Sequence, residues 1–229
     1  MRLRELHPWR VTIAQGKAIQ ERLAPQVSFV NALAPQVRCV AGLDISGADQ
    51  QGQSLGAAVV LSYPDLTPRE VKTARAEPGM PYVPGFLSFR EVPVLAAALE
   101  ALTLTPDLVV VDGQGYAHPR RFGLACHLGL LMELPTIGCA KSVLVGSHGP
   151  LGLERGSTAP MMDGGEVVGM AVRTRTGVSP VYVSVGHKID LKTSVEWVLA
   201  CGGGYRVPEP TRLAHHAASG RLTLAPAPS

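Results

Sequence analysis

Leu108 to Val111 is an unbroken apolar run that ends on a carboxylate, Asp112, and passes at once into Gly113-Gln114-Gly115. A strand apolar on both faces must lie inside a sheet covered by helices, because a half-exposed strand alternates polar and apolar residues. The neighbouring segments supply the helices. Arg90–Leu102 reads as one, with Pro93 tolerated in its first turn, and Phe122–Leu131 as another. The short strand Thr136–Ala140 follows, so this stretch alternates helix and strand as a parallel sheet does.

The part before it reads differently. Residues 10–34 are expected to be a helix, punctuated by Pro25 and Pro35. Three strands follow, Arg38–Ile45, Leu55–Ser62 and Glu70–Ala76, with links too short for parallel crossovers, so they form an antiparallel meander. Beyond the centre come strands at Glu166–Thr174 and Val181–Val185, a helix over Leu191–Cys201 and a helical tail after Pro210. The expected fold is α/β: a mixed sheet, three antiparallel strands then parallel ones, flanked by helices. Its 229 residues fit one domain over 1–229, with a flexible tail after about residue 219.

Composition bounds the function only loosely. The chain is 46% hydrophobic and 17% charged, ordinary for a folded protein, and its net charge of +3 neither demands nor excludes nucleic acid. Cys39, Cys126, Cys139 and Cys201 form no CxxC pair and sit among apolar residues, as reduced core thiols of a cytoplasmic protein would. The start, MRLRELHPWR, has no apolar segment behind its basic residues, and VPVLAAALEAL is too short to span a bilayer. A soluble cytoplasmic protein is expected.

Asp44 closes the apolar run VAGLD as Asp112 closes LVVVD. If those two strands are neighbours, both carboxylates emerge together at one sheet edge, where they repel unless a cation neutralises them. Oxygen ligands without a His/Cys cluster favour magnesium or manganese over zinc. Glu91, near a helix start, is a third candidate. Taken singly, Asp44 could be a turn residue and Asp112 a helix cap.

Two further features carry chemistry. His118, Arg120 and Arg121 follow Asp112 closely and suit phosphate oxygens, or else form a solvated loop run; Arg121 could instead turn inward to a carboxylate. The glycines around Gln114 match neither common phosphate-binding loop, and read as places where backbone approaches a ligand. Tyr82 stands between Pro81 and Pro84, a stiffened setting in which a ring could stack on a base or wedge into a base step; packing into the core is the alternative.

Together the runs GLDIS, PYVPGFLSFRE, VVVDGQGYAHPRRFGLACHLG, PTIGCAKSVLVG and GYRVPEPTRLAHHA resemble the endonuclease V family, inosine-directed deoxyribonucleases with an RNase H-like fold. They extend from about Arg38 to Ala217. The family usually has histidine where Gln114 stands, and serine is more usual at Cys126.

The resemblance implies a magnesium-dependent enzyme, manganese substituting, that hydrolyses the second phosphodiester bond 3′ to deoxyinosine and leaves 3′-hydroxyl and 5′-phosphate ends. It implies metal ligation by Asp44, Asp112 and Glu91, a catalytic Lys141 near the attacked phosphate, and His215 near the metals. Tyr82 would be the strand-separating wedge. Main-chain groups around Gly85 and Leu87 would read hypoxanthine, with Gly113, Leu124 and Leu144 as walls. The expected partner of this monomer is deoxyinosine-containing DNA, with inosine-containing RNA a second candidate and no membrane. Another RNase H-like nuclease would share the acidic cluster without the proline-bracketed tyrosine; a non-catalytic binder would not need Asp44, Glu91, Asp112 and Lys141 together.

Overall fold

The computed structural model describes residues 1–224. Nine strands form one sheet: β1 (Cys39–Ile45), β2 (Ser54–Ser62), β3 (Pro68–Ala76), β4 (Leu108–Val111), β5 (Thr136–Ala140), β6 (Ser147–His148), β7 (Thr158–Asp163), β8 (Glu166–Val172) and β9 (Val181–His187). Their order is β3-β2-β1-β4-β5-β9-β8-β7-β6. The meander β1-β2-β3 is antiparallel, and β4 pairs parallel with both β1 and β5. Every residue of β4 is buried, as its two-faced apolarity requires. Beyond β5 the sheet departs from expectation and turns antiparallel again through β9, β8, β7 and β6.

The helices are α1 (Ile13–Leu23), α2 (Leu87–Glu100), α3 (Leu124–Met132), α4 (Leu191–Ala200) and α5 (Glu209–Ala218). Alternation along the strands assigns them to faces. Ala41, Leu43, Val109 and Val111 pack with Val92, Leu95 and Leu99 of α2 and with Leu124 and Leu128 of α3. Val40, Leu108 and Val110 pack on the other side with Val198 of α4 and Cys201. Alanines 214, 217 and 218 of α5 cover Ala57, Val59 and Leu61 of β2. All four cysteines are free, and burial pushes the Cys126 and Cys201 thiols up to about 12, so they serve as apolar packing groups.

Three expectations need correction. The helix expected over 10–34 is only α1, followed by a 3₁₀ turn at Ala24–Gln26 that carries Pro25. Thr12 starts it with a capping box to Gln15, a signal present in the sequence. Second, α2 begins at Leu87, so Pro93 lies in its second turn; nearby, the Gly79 N–H donates to the Arg90 carbonyl at 3.0 Å and docks the preceding loop. Third, β7 and β6 were not expected. Pro160 masks β7 as a strand, although Gly164 and Gly165, both at positive φ, close the β7–β8 hairpin in the manner of a glycine-rich two-residue turn. Part of the expected flexible tail, 225–229, lies outside the described residues. Among the described residues, no helix is long and apolar enough to cross a membrane.

Candidate active site

Three adjacent parallel strands end side by side, and each hands over a functional group. Leu43 is in register with Val111, and Val111 with Gly138, so Asp44, Asp112 and Lys141 follow at one sheet edge. This is the carboxyl end of the parallel strands, where α/β sheets leave a crevice for ligands. The Lys141 ammonium is ion-paired with Asp112 Oδ2. His215 Nδ1 lies 2.9 Å from Asp44 Oδ2, and Asp44 Oδ1 accepts from the Ile45 N–H at 2.8 Å.

His215 reaches Asp44 because α5 lies almost on the strand backbone. A Cβ at Gly42 would fall 1.8 Å from the Pro210 carbonyl oxygen, so only glycine admits this approach. A similar constraint explains Gly115, where a Cβ would meet the Val185 carbonyl at 2.1 Å. That glycine therefore packs loop against β9, which corrects its reading as an approach to ligand.

The electrostatics mark the cluster as unbalanced. Burial, then repulsion from Asp112, raises the Asp44 carboxyl above its ordinary value. Burial, with Asp44 the next cause, pushes Glu91 of α2 from 4.5 up to about 8. Among the described residues, no three His, Cys, Asp or Glu side chains already close around one point. What the chain offers is two strand-end carboxylates with a third coupled to them by charge. Such an all-carboxylate set suits a hard divalent cation, which would relieve the repulsion.

Next to Asp112 opens a cleft of about 420 Å³. Tyr82, Gly85, Leu87, Gly113, Leu124 and Leu144 all line it, together with Asp112 and Lys141. Tyr82 is 68% exposed, so it does not pack into the core. Phe86 supplies no side-chain cap to α2, although the Phe89 N–H donates to the Phe86 carbonyl at 3.1 Å, so the N–H groups of Leu87 and Ser88 at the helix start receive no cap from it.

The comparisons with known proteins agree with this picture. The family model for endonuclease V matches residues 21–216. The chain belongs to the endonuclease V family. Relatives named endonuclease V include those of Roseiflexus castenholzii, 52% identical over 94% of this chain and 96% of its own, and Myxococcus xanthus, 54% identical over 92% and 90%. The solved endonuclease V of Streptomyces avermitilis superposes with a TM-score of 0.88 at 44% identity, covering 93% of both chains. The Ciona intestinalis endonuclease V, solved with a 23mer DNA containing an inosine followed by a ribo-adenosine, gives 0.80 at 27% identity, covering 92% of this chain and 98% of its own.

Within this endonuclease V fold the cationic run after Asp112 is engaged with other parts of the chain. His118 is 3% exposed, its Nε2 lies 3.0 Å from the Gly85 carbonyl, and burial pushes its pKa down to about 4. Arg120 donates to the same carbonyl at 2.7 Å and to Gln20, and its guanidinium stacks 4.5 Å from the Phe86 ring. Arg121 pairs with Asp163 and Glu166 at 2.8 and 2.9 Å. These residues precede α3, as the sequence placed them. Their contacts brace the Tyr82–Gly85 loop and the β7–β8 hairpin.

Other contributors went unread in the sequence. Gln20 donates to the Gly85 carbonyl across 65 positions, and Arg206 donates to the Lys141 carbonyl at 2.6 Å. Nothing in local spacing signals either contact. Arg206 does stand in the family run GYRVPEP.

The Glu91 shift has a measurable consequence. Its folded pKa exceeds the unfolded value, so the folded protein holds a proton that the unfolded chain releases above 4.5. The metal-free protein should therefore lose stability as pH rises from 4.5 to about 8, and magnesium should oppose the loss by displacing that proton. Thermal denaturation across that range, with magnesium and with chelator, checks it. A melting temperature whose pH dependence is the same in both conditions would contradict it.

Proposed function

We propose that this chain is a magnesium-dependent endonuclease that takes a hypoxanthine base into the cleft and hydrolyses the second phosphodiester bond on its 3′ side. The observation that carries the reading is the contiguity of the cleft with the carboxylate cluster: Asp112 and Lys141 line the same cavity as Tyr82, Gly85 and Leu87. A volume of about 420 Å³ is within the range of small-ligand sites. The inosine-containing DNA in the Ciona intestinalis complex supports the substrate class.

A base cannot be read inside a duplex, so it must be turned out of the stack. Tyr82, exposed at the cleft between two prolines, would fill the vacated space. The uncapped N-terminus of α2 offers N–H groups to the base's oxygen. Bound magnesium, held by Asp44, Asp112 and Glu91, would polarise the phosphate and favour a hydroxide nucleophile. The water oxygen bonds to phosphorus, the bond from phosphorus to the 3′-oxygen breaks, and that oxygen leaves as a 3′-hydroxyl while the phosphate stays on the 5′ side. Lys141 places its positive charge where negative charge grows, and His215 orients Asp44.

The test is cleavage of matched duplexes carrying inosine or adenine, in DNA and in RNA, with magnesium and with chelator. The reading requires metal-dependent nicking confined to the inosine strand. Metal-independent cutting, or equal cutting of the adenine duplex, would sink it.

The bracing role of Arg120 gives a sharper expectation. Arg120→Ala should lower inosine preference about tenfold, the scale of a lost charge-assisted hydrogen bond. It should leave the salt dependence of binding unchanged, since Arg120 meets no phosphate and releases no counterion. A flattened salt slope with preference intact would restore the phosphate assignment.

A further inference from the structure

The pairing of β5 with β9 closes at Ala140 opposite Tyr182, so Lys141 lies just beyond the paired part of the sheet. Pro180, immediately ahead of β9, has no N–H with which to extend the ladder. Side chains hold the chain there instead. The Lys141 carbonyl accepts from Arg206 Nη2 at 2.6 Å, and the next carbonyl, that of Ser142, accepts from Gln114 Nε2 at 2.7 Å.

Arg206 does more than touch Lys141. Its Nη2 also donates to the Pro180 carbonyl at 2.8 Å, and its Nε donates to the Ser179 and Pro180 carbonyls at 3.1 and 3.3 Å. One guanidinium thus ties the end of β5 to the approach of β9, where the ladder has stopped. The loop that carries it, between α4 and α5, is anchored in turn: the Arg206 carbonyl accepts from the Thr174 hydroxyl, just past β8.

We propose that Arg206 is a positioning residue for Lys141, fixing its peptide so that the ammonium stays beside Asp112, an inference that rests on the hydrolytic role given to Lys141 above. A lysine side chain is long and flexible, so its charge is placed only as well as its backbone is held. A planar guanidinium can bridge the Lys141 and Pro180 carbonyls at once, which a single ammonium does not reproduce. Arg206 acts through Lys141 alone and meets no reacting atom.

The experiment is single-turnover nicking of the inosine duplex in magnesium by wild type, Arg206→Met, Lys141→Ala and the double variant. Duplex binding in calcium counts the active enzyme, so a misfolded fraction does not enter the rates. Arg206→Met should slow nicking about tenfold, the scale of a lost charge-assisted hydrogen bond. In the Lys141→Ala background the same change should slow it less than about twofold, because residues that act through one group are not additive. A loop staple with no bearing on Lys141 would cost the same factor in both backgrounds, and that result would overturn the proposal. So would an Arg206→Met or a Lys141→Ala enzyme as fast as wild type. A flattened salt dependence of binding in Arg206→Met would overturn it too, by making Arg206 a phosphate contact. If Arg206→Met does not fold, Arg206→Lys, which keeps the charge without the planar fork, enters the same cycle. A wild type that leaves the inosine duplex uncut would overturn the substrate reading, and the role of Lys141 with it.

Discussion

Replacing Asp112 or Asp44 by alanine should reduce strand cleavage about a thousandfold or more, equivalent to about 4 kcal/mol of transition-state stabilisation, while leaving the protein folded. The two carboxylates share one sheet edge, and repulsion from Asp112 helps raise Asp44. Loss of either removes half of the strand-end pair proposed to hold a divalent cation and also removes a repulsion. The fold should tolerate it. The partners left behind, Lys141 and His215, are each about half exposed and can turn to water. Cleavage rates with saturating magnesium, alongside thermal melts, separate the two effects. Near-normal rates in either variant would remove that carboxylate from the metal site.

Gly42→Ala should destabilise the protein by about 3 kcal/mol, at the upper end for inserting a methyl group into a packed interior. The Cβ would fall 1.8 Å from the Pro210 carbonyl oxygen. β1 cannot retreat, since β2 holds one edge and β4 the other. α5 must lift instead, which uncovers Ala57, Val59 and Leu61 and carries His215 away from Asp44. Activity should fall with stability. Gly47→Ala, where a Cβ meets nothing within 4 Å, is the control and should change neither. Urea unfolding of both variants decides, and equal midpoints would show that α5 adapts without cost.

The carboxylates at one sheet edge were partly legible because their causes are local. Apolar runs that stop on Asp44 and Asp112 suggested two strand-end carboxylates, and the structure supplies the condition the sequence left open by pairing β1 and β4 as parallel neighbours. The cleft walls were legible through the family runs, and the structure gathers all of them. The partners of the cationic run were not legible because a sequence shows charge but not what satisfies it. The partners of Arg121, Asp163 and Glu166, lie more than 40 positions away in a hairpin whose first strand Pro160 conceals. The start of α2 was misplaced for a related reason: Phe86 supplies none of the usual capping side chains.

The position of the cut tests the central claim most directly, because it measures the span from base cleft to carboxylate edge. End-labelled duplexes with one deoxyinosine, digested in magnesium and resolved beside sequence ladders, give the scissile bond. The account predicts a single cut at the second phosphodiester on the 3′ side, with 3′-hydroxyl and 5′-phosphate ends, abolished by chelator. Cuts on the 5′ side, or scattered without relation to the inosine, would contradict it.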